Sequence, residues 1–134
     1  MAKDEEAKLD ARGQVTLPLG GVDYGLRPSF AAISAIERKL RPLPALVAEG
    51  GRGDLSLADM GIIAAELMRA YGEANPSDEL ADTYKTSKPE RLAELIYEAG
   101  SPRILARLLV VLIGSFNGGY TASGEAKPPE TKKK

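Results

Sequence analysis

The chain has 134 residues and contains no cysteine, no histidine and no tryptophan; aromatic residues of any kind make up 5%. Each absence removes a class of function. Without cysteine there is no disulfide, no thiolate nucleophile and no cysteine-based metal site, a composition that suits a reducing cytoplasm, the expected compartment. Without histidine, the side chain whose proton moves most readily near neutral pH is missing. General-base chemistry would then fall to carboxylates or lysines shifted by burial, and no acidic pair sits inside an apolar run. An excess of one charge is absent too. Eighteen Lys and Arg oppose 19 Asp and Glu for a net charge of −1, so no global field steers the chain onto nucleic acid or an anionic membrane. Met1–Leu9 holds Asp4, Glu5 and Glu6 rather than the basic-then-apolar plan of a secretory signal, and export is not expected. The most apolar segment, Pro102 to about Asn117, falls short of the roughly 20 residues a bilayer requires and contains Arg103 and Arg107. The resulting expectation is a non-catalytic protein with no metal, no cofactor, no nucleic acid and no membrane among its ligands.

What is present is organised most clearly between Arg12 and Leu40. Val15, Leu17 and Leu19 alternate with Thr16 and Pro18, the period of a half-buried strand, and Gly20-Gly21 can take the positive φ of a tight hairpin turn. Val22, Tyr24 and Leu26 alternate on the return strand. Pro28 stops it, and Ser29 offers an N-cap to a helix carrying Phe30, Ile33, Ile36 and Leu40. Arg41-Pro42-Leu43-Pro44 breaks the pattern, Ala45–Glu49 predicts one short helical turn, and Gly50-Gly51-Arg52-Gly53 reads as a loop. Ser56 with Asp59 then opens a helix whose face carries Met60, Ile63, Ala64, Leu67 and Tyr71.

Ser77–Lys88 is polar, with a weak helical pattern over Asp78–Tyr84, and is the expected mobile internal loop. Ser87, Pro89 and Glu90 predict a capped helix burying Leu92, Leu95, Ile96 and Ala99. Gly100 ends it and Ser101-Pro102 starts the last helix, which is apolar almost all round and is therefore expected at the centre of the core or beneath a partner.

The remaining motifs have plain readings. Asp78, Glu79 and Asp82 match no calcium-loop spacing and read as a solvated helix face. The glycine clusters lack the strand, helix and Lys-Ser/Thr context of a phosphate loop and read as turns. The tight pair of C-terminal helices resembles a helix-turn-helix only in length, because its second helix offers Leu and Val where a DNA reader offers polar and basic groups. Met60, Met68 and Tyr71 lie on or beside one helix face, where Met and Tyr serve either a core or an interface.

The fold class that follows is α+β and mostly helical: an N-terminal antiparallel hairpin packed on four or five short helices, its apolar face held by the first and last of them. One globular domain is expected over residues 12–120, with disordered tails at 1–11 and 121–134.

The order of these elements resembles the tail assembly chaperone family of tailed phages and gene transfer agents. The resemblance rests on Arg12-Gly13-Gln14-Val15-Thr16-Leu17-Pro18-Leu19, on Val22–Phe30, on Ala35-Ile36-Glu37-Arg38-Lys39-Leu40, and downstream on Pro44-Ala45-Leu46, Asp54–Asp59 and the polar Ser77-Asp78-Glu79 turn. It covers Arg12 to Phe116; the polar stretch Thr83–Lys88 and the Lys-rich end depart from it. It implies a cytoplasmic protein of a bacterial host that binds the tape-measure protein and helps recruit tail-tube protein, with no catalytic residue. Met60, Met68, Tyr71, Leu109 and Phe116 are the partner contacts expected, and a homo-oligomer is compatible. Some members of such families have a longer product made by frameshifting, and an adenine run of the slippery kind can encode Lys132-Lys133-Lys134; AAG codons with no overlapping frame would exclude it. From the residues alone, a small dimeric adaptor or regulatory module using the last helix as its seam is the competing reading.

Overall fold

The computed structural model describes residues 15–128. Its elements run β1 (Thr16–Leu19), β2 (Val22–Gly25), α1 (Phe30–Lys39), α2 (Leu43–Gly51), α3 (Leu57–Ala74), α4 (Ala81–Thr86), α5 (Pro89–Ala99) and α6 (Ser101–Phe116). This is an α+β, mostly helical fold with an N-terminal hairpin. The expected tail at 1–11 and the terminal lysines lie outside the described residues.

The hairpin forms as its alternation requires. Leu17 pairs with Tyr24 and Leu19 with Val22, so their side chains share one face, and Val15, Leu17 and Leu19 are buried. Gly20 and Gly21 have φ of +58° and +82°, the left-handed pair that matches the twist of a two-residue hairpin turn. β1 packs on α5 and α6 and β2 on α3, so the last helix holds the hairpin as its apolar face suggested, while α3 and α5 take the place expected of the first helix.

The centre of the domain is α3, where the composition pointed to α6. α3 touches α1, α4, α5, α6 and β2. Its small residues explain this: Gly61, Ala64, Ala65 and Gly72 are all buried, and each lets a neighbouring element approach the helix axis closely. A methyl group on Gly61 would lie 2.4 Å from the Pro89 carbonyl oxygen, and one on Gly72 would lie 2.5 Å from Tyr84 Cβ. α6 contributes Ile104, Leu108, Val111 and Leu112 to the same core from one side only.

Two helix starts follow the expected chemistry. The Ser29 hydroxyl accepts from Ala32 N–H at 3.1 Å and the Ser56 hydroxyl from Asp59 N–H at 3.0 Å. The Ser87–Glu90 capping box does not form. Lys88 occupies the N-cap of α5, and the Ser87 hydroxyl donates instead to the Thr83 carbonyl at the end of α4. α2 is longer than the single turn expected and takes in Gly50 and Gly51; Leu109 of α6 packs where a Gly50 side chain would be, 2.8 Å from the methyl position, so glycine there lets the two helices approach closely.

Residues beyond Tyr120, expected as a tail, fold back onto the domain as far as the described chain runs. The Ala122 carbonyl accepts the otherwise orphaned N–H of Phe30 at 2.8 Å, and Arg27 Nε donates to the Ser123 carbonyl at 2.7 Å. Tyr120 bridges to Ala126, and Gly124 (φ +95°) sits so close to Ser29 that a side chain there would clash. Backbone pairing holds this segment rather than apolar burial, which is why hydropathy does not reveal it.

Candidate interaction surface

α6 has two sides of contrasting character, one buried and one exposed. On its inner side Arg107 is buried and its guanidinium donates to the Thr16 carbonyl at 3.1 Å, tying the helix to β1. Its outer side carries Ala106, Leu109, Val110, Ile113 and Phe116, spaced by three and four residues so that they share one arc of the helix. Between Arg103 and Asn117 that arc holds no charged side chain. Val110 is 42% exposed, Ile113 39% and Phe116 52%. An isolated exposed apolar residue is ordinary, whereas a charge-free apolar arc three turns long marks a surface that gains free energy when covered.

A second apolar opening lies beside α1. Phe30, at the first position of that helix, is 70% exposed and borders a shallow hollow of about 320 Å³ with Ile33, Leu43 and the returning Tyr120–Ala122 segment. The hollow exists because that segment folds back, so the sequence offered no signal for it beyond the aromatic ring of Phe30. Burial of Tyr120 against Gly114 raises its phenol pKa above the ordinary value.

The five expected contact residues separate into three groups. Met60 and Met68 are buried in α3 and belong to the core, which corrects their assignment as partner contacts: the helix that carries them is covered from several sides, leaving no free Met face. Tyr71 is half-buried and spent on the fold. Its ring lies over Gly25, where a methyl group would meet it at 2.3 Å, and against Tyr84 with ring centres 5.0 Å apart. Leu109 is half-buried against Gly50, and Phe116 is exposed; these two lie together on the outer arc of α6. Sequence reasoning missed Val110 and Ile113, which complete the arc. Their helical spacing from Phe116 was visible, but an element apolar on every side hides which side faces inward.

The segment Ser77–Lys88, expected as a mobile loop, is anchored. Tyr84 of α4 is buried, its hydroxyl accepts from Gly25 N–H at 2.8 Å, and its ring meets Tyr24 edge-on at 5.8 Å. Burial, opposed in part by that hydrogen bond, pushes its pKa up to about 12. The Asp78 carboxylate accepts from Leu80 N–H at 2.8 Å, turning the chain into α4, while Glu79 and Asp82 are exposed. Among the described residues, no group of three or more acidic side chains is placed to hold a metal ion.

One buried charge is fully engaged. Glu66 of α3 is 6% exposed and pairs with Lys39 of α1 and with Arg69 at 2.8 Å. Burial alone would raise its carboxyl pKa, but these two cations outweigh it and hold the pKa below the ordinary value. No described helix is long and apolar enough to cross a membrane.

Against known protein families, characterised proteins and solved structures, the chain matches none.

Proposed function

We propose that the chain is a tail assembly chaperone of a phage, prophage or gene transfer agent, which binds the tape-measure protein in the host cytoplasm and assists tail-tube assembly without catalysis. The observation that carries this reading is the charge-free outer arc of α6, Ala106 to Phe116, exposed on a fold whose core is already complete without it. A tape-measure protein is long and helical and exposes apolar stripes before it is packed into a tail. Helix-on-helix burial of such a stripe against α6 keeps it from aggregating, and covering the remaining exposed part of each of these side chains contributes roughly 0.5–1.5 kcal/mol before the cost of association. Support from the sequence comes from the hairpin-to-helix opening and the element order through Phe116, which resemble that family.

Co-expression with the tape-measure protein of the same genome tests the proposal. Stable co-purification together with a gain in the partner's solubility is expected. A chain that ignores the tape-measure protein and instead forms a defined homodimer through α6 would replace the chaperone reading with a dimeric adaptor.

A further inference from the structure

A second surface, on the side of the domain formed by α3 and α5, has a different character. We propose that the groove between these helices is a docking site for an amphipathic protein helix that carries Lys or Arg at i, i+4 spacing. This inference concerns a different face from α6 and stands whether or not the tail-assembly reading holds.

The groove follows from the small residues that line it. Gly61 brings α3 against the start of α5, and a methyl group there would also lie 3.2 Å from Ala93 Cβ. With Ala58, Ile62, Pro89 and Ala93 lining the surface beside this close approach, a trough of about 460 Å³ remains. It continues past Ala93, the residue common to both parts, along Leu57 to Tyr97. Tyr97 is 73% exposed, the largest exposure among the large apolar side chains of the described chain. A floor of small and aliphatic side chains ending at an exposed aromatic ring is the shape that receives the apolar stripe of a helix.

The edge of the groove selects the charge of its occupant. Glu90, Glu94 and Glu98 recur every fourth residue along α5, and at ~1.5 Å rise per residue they form a carboxylate row about 12 Å long. All three are exposed; Glu90 borders the first part of the groove, and Glu94 and Glu98 the second. The basic groups nearby do not cancel the row. Lys39 borders one end but is paired with Glu66, and Arg91 pairs with Glu94 at 3.0 Å in a solvent-exposed contact of the kind that exchanges readily. A helix with cations at the same four-residue interval matches the row along its length, whereas an acidic helix or an anionic lipid surface is repelled by it.

The test uses the full chain and two labelled synthetic amphipathic peptides with the same apolar stripe, one with Lys at i, i+4 positions beside it and one with Glu at those positions, read by fluorescence anisotropy. The Lys peptide is expected to bind and the Glu peptide not. In the triple variant Glu90→Lys/Glu94→Lys/Glu98→Lys, all at exposed positions, the Lys peptide should lose about tenfold or more in affinity and the Glu peptide should gain binding. Tyr97→Ser should weaken the Lys peptide without altering its preference over the Glu peptide. Equal affinity for the two peptides, no binding of the Lys peptide, or an unchanged affinity in the triple variant overturns the proposal. So does sedimentation showing that the wild-type chain self-associates through this groove and that the triple variant is monomeric.

Discussion

The backbone N–H of Gly25 donates to the hydroxyl of Tyr84 at 2.8 Å, joining the end of the hairpin to α4 across 59 residues of sequence. Both groups are buried, so neither has water to replace the other. Tyr84→Phe keeps the ring packing with Tyr24 and Tyr71 but leaves the Gly25 N–H without its acceptor. The expected loss is about 1–2 kcal/mol of unfolding free energy in denaturant titration, with faster hydrogen exchange at the Gly25 amide. Tyr84→Ala removes the ring as well and should cost about 3–5 kcal/mol. An unchanged Tyr84→Phe midpoint would show that the hydrogen bond contributes nothing net.

The same tyrosine predicts an alkaline limit. Its pKa is pushed up to about 12 in the folded state from an ordinary value of 10.0, so the folded protein holds a proton that the unfolded chain releases. The associated stability is complete below pH 10 and is lost as pH rises towards 12, by an amount on the order of 2 kcal/mol. Thermal unfolding followed from pH 9 upwards should fall more steeply for the wild type than for Tyr84→Phe, which has no proton to lose at this position. Parallel curves would contradict the assignment.

Two glycines should differ in how they fail. Alanine at Gly25 would press its methyl group on the Tyr71 ring at 2.3 Å, and alanine at Gly61 would press on the backbone carbonyl of Pro89 at 2.4 Å. The half-buried Tyr71 ring can turn aside, whereas the Pro89 carbonyl moves only if the start of α5 moves. Gly61→Ala is therefore expected to destabilise by about 2–3 kcal/mol and Gly25→Ala by less. Chemical denaturation of the two variants ranks them directly.

The two sides of α6 give the sharpest contrast available to mutagenesis. Leu108 is fully buried, and Leu108→Asp places an unpaired carboxylate in the core, a cost comparable to the ~5–15 kcal/mol that holds a domain of this size together. That variant should not fold. Ile113→Asp, on the outer arc, should leave the circular dichroism spectrum and the thermal midpoint within a few degrees of wild type. If Ile113→Asp unfolds the protein as well, α6 is core on every side and the proposed surface does not exist.

How far these features were legible in the sequence depended on whether one segment carried its own signal. The hairpin did: Val15, Leu17 and Leu19 alternate, and Gly20-Gly21 can adopt only a few turn geometries between such strands, so register and face followed. The caps at Ser29 and Ser56 did as well, since the acceptor and donor lie within three residues. Tyr84 did not, because its partners Gly25, Tyr24 and Tyr71 come from other parts of the chain and a lone tyrosine in a polar stretch looks solvated. Met60 and Met68 were ambiguous for the opposite reason: helical spacing defines a face but not what covers it. The return of Tyr120–Ala126 over α1 rests on backbone hydrogen bonds, which carry no side-chain signature beyond glycine at a turn.

Hydrogen–deuterium exchange of the whole chain, alone and in complex with the co-expressed tape-measure protein, tests the proposed function most directly. Binding through the outer arc predicts new protection concentrated in Ala106–Phe116, absent when Ile113→Asp is used. Protection elsewhere with α6 unchanged, or no complex to measure, would contradict the account.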